Sequence, residues 1–151
     1  MTAGETPGEL VKGGIEHLEG GTEGRKWPDR QALDGPFTTR QLLRLDESLR
    51  TADNLTGLVF SVYVGELEEP VREYAQKLHA QLPDPARGVL LAVSPNQRAL
   101  EIVTGPLARR RLPDRDCKLA ALAMTAAFRE GDLTGGIVTG LTQLADKAAG
   151  S

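Results

Sequence analysis

The sequence predicts an α/β sandwich: a mixed sheet, built from a βαβ unit plus an antiparallel hairpin strand, flanked by helices on both faces. Three observations carry this. The stretch 57-GLVFSVYVG-65 is rich in β-branched and aromatic residues and too apolar to alternate, as a strand covered on both faces should be. Val71, Tyr74, Ala75, Leu78 and Leu82 then fall at helical spacing before a second apolar run, Val89 to Val93. A strand, a helix and a strand of these lengths imply parallel strands joined by a right-handed crossover. The third observation is 88-GVLLAVSPNQRALEIVTG-105, two apolar strands around a polar turn in which Pro95 and Asn96 suit the central positions.

The remaining elements follow in order. Residues 1–35 hold few apolar side chains and nearly half of the 17 glycines, so this stretch reads as a mostly disordered acidic tail before a domain at 36–149. Within it Leu10, Val11, Ile15 and Leu18 have only weak helical spacing, and Trp27 is the feature expected to dock, with a weak fourth strand expected from its neighbourhood. Thr38 and Gln41 predict a capping box, with Phe37 and Leu42 as its hydrophobic staple. The helix they open carries Leu42, Leu45 and Leu49 on one face to about Ala52, and Asp53 and Asn54 are expected to end it. Pro70 suits the start of the second helix, and Pro83 and Pro85 stop it. Pro113, Asp114 and Asp116 suit another helix start, running into the apolar DCKLAALAMTAAFRE. Gly131 marks its end, and Asp132 caps a last helix whose inner face is Ile137, Leu141, Leu144 and Ala148. Gly135, Gly136 and Gly140 are expected to let that helix lie close against a sheet.

Composition narrows function by exclusion. The 151 residues are 40% hydrophobic and 4% aromatic, enough for one domain with an aliphatic core. The net charge of −3 resides formally in the tail, leaving a neutral domain, so nucleic acid is not an expected partner. No apolar run reaches the roughly 18 residues of a membrane span, the N-terminus does not read as a secretory signal, and a lone cysteine fits a reducing compartment. A cytoplasmic monomer is therefore expected.

The order of elements and several local motifs resemble the TPM domain, a family of thylakoid-lumen photosystem-repair proteins and bacterial proteins. The motifs are 58-LVFSVYV-64, 73-EYAQKL-78, the hairpin 88–105, 112-LPDRD-116 and 127-AFREGDLTGGIVTGLTQL-144, in a tail-bearing form similar to actinobacterial relatives of unknown function. The resemblance implies the sandwich fold and, for some members, calcium binding and acid phosphatase activity. This chain departs from the pattern where members carry acids. The approach to the second strand is 83-PDPAR-87, and the loop after the hairpin is 105-GPLARRR-111. Calcium is the one cofactor in question, with Asp84, Asp114 and Asp116 as its weak candidates.

Arginine dominates the candidate sites. Arg109, Arg110, Arg111 and Arg115, with Arg98 at the hairpin turn, suit a phosphate, a carboxylate or an acidic protein segment, beside a helix start that also favours anions. The plainer reading is a solvated loop whose arginines pair with Asp114, Asp116 and Glu101, and whose triple replacement by alanine would leave folding nearly intact. No catalytic residue is assigned. Ser61 and Ser94 lack a nucleophile elbow, Cys117 near a helix start reads as packing, and His79 has no identifiable partner in the sequence. The expected function is a non-enzymatic protein-interaction or anion-binding module using the Arg109–Arg111 loop; the alternative is a weak, metal-assisted acid phosphatase.

Overall fold

The computed structural model describes Glu9–Val11 and residues 37 to 150. Among the described residues its sheet has four strands, in the order β1 (Glu9–Val11), β2 (Val59–Val64), β3 (Gly88–Ser94) and β4 (Ala99–Thr104). β2 and β3 run parallel, from Val59↔Gly88 to Val64↔Val93, and β4 returns antiparallel from Ser94↔Ala99 to Val89↔Thr104. The βαβ unit and the hairpin are therefore as the sequence predicts. The sequence reading did not foresee β1: Leu10 and Val11 extend opposite Tyr63 and Val62, satisfying outer backbone groups of β2. Trp27 and the rest of the tail lie outside the described residues.

Helices cover both faces. α1 (Thr39–Thr56), α4 (Asp114–Arg129) and α5 (Leu133–Ala149) pack on one, against Phe60, Val62, Val64, Val89, Leu91, Val93 and Ile102. α2 (Val71–Ala80), which follows a cis Glu69–Pro70 peptide, covers Tyr63, Leu90, Ala92 and Val103 on the other. Both parities of β2 and β3 are thus buried, which is why neither strand alternates in sequence.

The helix ends show what the periodicity missed. The capping box forms as expected: the Gln41 N–H donates to Thr38 Oγ1 at 3.1 Å and the Thr38 N–H to Gln41 Oε1 at 2.9 Å. α1 then runs four residues beyond Ala52, to Thr56, and Gly57, at φ 78°, supplies the left-handed cap. Asp53 does not end the helix. Its Oδ1 instead accepts the Phe60 N–H at 2.8 Å and ties α1 to the start of β2. Gly136 and Gly140 do bring α5 in close, but toward α4 rather than the sheet: a Cβ on them would strike Phe128 and Met124.

Candidate functional site

One end of the sandwich holds a cleft of about 580 Å³. Its first wall is the hairpin, from Val93 through Pro95 and Arg98 to Leu100; its second is the end of α4 and the start of α5, including Thr125, Phe128, Arg129 and Leu133. Both walls are fixed by local chemistry. On the hairpin side Gln97 is clamped to the β2–α2 connection. The Leu67 N–H donates to Gln97 Oε1 at 2.7 Å, Gln97 Nε2 donates to Leu67 O at 2.8 Å, and Ser94 Oγ donates to Gln97 Oε1 at 2.6 Å. Arg98 follows with φ 54°, the left-handed region a non-glycine residue enters at a cost of roughly 1–2 kcal/mol. On the helical side, α4 ends in a Schellman turn in which Gly131, at φ 82°, donates to Phe128 O and Asp132 to Ala127 O. Asp132 Oδ1 then caps α5 by accepting the Gly135 N–H at 2.9 Å, as the sequence predicts.

The cleft is cationic and otherwise mostly apolar. Arg98 and Arg129 both line it, with no carboxylate among its lining residues. Neither guanidinium has a hydrogen bond or ion pair among the described residues.

The basic loop is built differently. Residues 106 to 109 are not a loop but a short helical turn, α3 (Pro106–Arg109), seated beneath the Pro85–Arg87 turn. Arg109 Nη2 donates to Thr104 O at 2.7 Å. Arg111 donates to Ala148 O through Nε at 3.2 Å and Nη2 at 2.9 Å, and to Thr56 O through Nη1 at 2.8 Å, holding the ends of α5 and α1 together. The expectation that all three arginines are dispensable for folding is revised accordingly. Arg110 and Arg115 remain exposed. Glu101 pairs with Arg72 on α2, at 3.0 Å, and not with this loop. Arg98 stands apart from the others, because the six residues of β4 carry the chain about 20 Å between them.

The acids do not converge. Asp84 Oδ2 accepts from Arg87 Nε at 2.9 Å, and Asp114 and Asp116 open α4. Among the described residues no three His, Cys, Asp or Glu side chains lie close enough together to hold a metal ion. Cys117 is 8% exposed, and burial, then Asp114 and Asp116, push its thiol up to about 11, so it is not a nucleophile at neutral pH. His79 has a partner after all: its Nε2–H donates to Gly88 O at 3.0 Å, a packing role beneath β3.

Arg129, Thr125 and Phe128 are the cleft residues that sequence reasoning did not assign. A signal was present. β4 leads away from the hairpin turn, and the 16 residues of α4, about 24 Å at 1.5 Å each, are long enough to bring the chain back to it. Those lengths are compatible with an α4 end near Arg98, which is where the structure places it.

The chain belongs to a family described as a domain of unknown function (DUF5130), matched over residues 12–145. It is 31% identical over 136 residues to the uncharacterised protein Rv2468c of Mycobacterium tuberculosis, covering 90% of this chain and 81% of that one. Two solved structures share the fold. The N-terminal domain of a protein from P. gingivalis superposes with a TM-score of 0.68 at 21% identity, over 77% of this chain and 78% of the other. The BA42 protein of Bizionia argentinensis superposes with a TM-score of 0.65 at 17% identity, over 76% and 82%. Among the described residues no helix is long and apolar enough to cross a membrane.

Proposed function

We propose that this member of the DUF5130 family is a non-enzymatic, cytoplasmic binding module of TPM-like type that captures an anionic group in the cleft between the β3–β4 turn and the α4–α5 junction. The observation that carries this reading is the pair Arg98 and Arg129 on one acid-free lining. Guanidinium is the group best suited to hold carboxylate or phosphate, through paired parallel hydrogen bonds. The left-handed Arg98 supports it further. A glycine would occupy φ 54° without strain, so the arginine stands there at a local conformational cost.

The exposed Arg110 and Arg115 favour a second, outward surface, on which an acidic protein segment would dock without entering the cleft. Amide NMR titration with phenyl phosphate, an acidic peptide and calcium separates these readings. Shifts at Arg98, Thr125 and Arg129 with phenyl phosphate are expected. Shifts confined to Arg110 and Arg115 with the peptide would move the function to the α3–α4 surface. Release of inorganic phosphate from phenyl phosphate, or calcium-dependent shifts at Asp84, Asp114 or Asp116, would overturn the non-enzymatic reading in favour of a phosphatase.

A further inference from the structure

Resting on that cationic cleft, we infer that its ligand is a single-chain amphiphile, a carboxylate or phosphate monoester head on an alkyl or aryl body. The two arginines account for only part of the lining. Leu100, Phe128 and Leu133 are partly buried side chains that pack against the main core from its margin and also face the cleft, with Pro95 and Ala99 beside them. The hydroxyl of Ser94 is already donated to Gln97, which leaves Thr125 as the polar side chain there besides the arginines.

An inorganic anion or a run of acidic side chains would meet the guanidinium groups and leave this apolar wall wet. A molecule with one charged end and an apolar body satisfies both. The volume, about 580 Å³, falls within the roughly 300–1,000 Å³ typical of small-molecule sites. Each methylene moved from water onto such a wall should raise affinity up to about four-fold, until the cleft is filled.

The test is calorimetric and NMR titration of the full chain with octyl phosphate, butyl phosphate, octanoate, inorganic phosphate and octanol, each below its micelle concentration. Octyl phosphate should bind at least ten-fold more tightly than butyl phosphate and than inorganic phosphate, shifting the amides of Leu100, Phe128 and Leu133. Comparison of octyl phosphate with octanoate identifies the preferred head. Arg98→Ala with Arg129→Ala should weaken both anionic amphiphiles at least ten-fold while leaving octanol unchanged. Leu100→Ser should reduce the gain from butyl to octyl, Phe128 and Leu133 remaining, with the anion still held. If inorganic phosphate binds as tightly as octyl phosphate, the amphiphile inference falls and anion capture stands. If no anion shifts the cleft residues, both fall.

Discussion

Leu67 and Gln97 pair as two backbones would: the Leu67 N–H donates to Gln97 Oε1 at 2.7 Å while Gln97 Nε2 donates to Leu67 O at 2.8 Å. One side-chain amide thus joins the β2–α2 connection to the hairpin turn, 30 residues away, immediately before Arg98. Replacing it strands two partly buried backbone groups, each worth about 1–3 kcal/mol when left unsatisfied. Gln97→Ala should lower stability by about 2 kcal/mol in urea melts and broaden the Arg98 amide resonance. Gln97→Glu should recover part of the stability, because a carboxylate still accepts from the Leu67 N–H but has nothing to donate to its carbonyl.

The three consecutive arginines should separate in the same assay. Arg111 supplies donors to carbonyls in the last turns of two helices, Thr56 O and Ala148 O. Arg111→Ala is expected to cost about 2 kcal/mol, and Arg111→Lys to recover only part, since one ammonium cannot reproduce the fork. Arg110→Ala should fall within about 0.5 kcal/mol of the parent. Equal melts for the two alanine variants would show that the Arg111 bonds contribute nothing measurable.

These residues mark where the sequence was legible. The capping box and the Asp132 cap are local, set by residues three apart, and residue type alone identifies them. The strands of the βαβ unit were legible because burial on both faces leaves an apolar run. Arg111 and Thr56 are 55 residues apart, and an arginine that caps a helix looks the same in sequence as one that is solvated. The cleft was hidden for a related reason. Arg98 and Arg129 come from opposite ends of a strand–helix return, so neither spacing nor composition joins them; only the lengths of β4 and α4 do.

Cys117 gives a pH prediction. Burial, with Asp114 and Asp116, raises its thiol to about 11 in the fold, above its value in the unfolded chain. Below the unfolded value both states hold the proton, and stability is unaffected. Between about 9 and about 11 the unfolded chain loses its proton first, so stability falls as pH rises through that window. Cys117→Ala should flatten the decline in urea midpoints over that range, although the small cavity it leaves lowers stability at every pH. A thiol reagent at pH 7 should modify the native protein far more slowly than the denatured chain. Rapid native labelling would mean that the site opens locally.

Arg98 offers the sharpest separation of stability from function. Its φ of 54° costs an arginine conformational energy that a glycine would not bear, while glycine also loses more chain entropy on folding. The two terms oppose each other, and strain of roughly 1–2 kcal/mol against an entropy cost of roughly 0.5–1 kcal/mol leaves strain relief the larger. Arg98→Gly should therefore raise the melting temperature slightly while removing one of the two guanidinium groups from the cleft. Arg98→Ala removes the same charge without relieving the strain, and so should bind as weakly as Arg98→Gly yet gain no stability. Differential scanning calorimetry beside a phenyl phosphate titration measures both quantities on each variant. A gain in stability for glycine alone, with equal loss of anion binding in both variants, is the expected pattern. If Arg98→Gly is stabilised and binds phenyl phosphate as well as the parent, the turn keeps its arginine for some purpose other than anion capture.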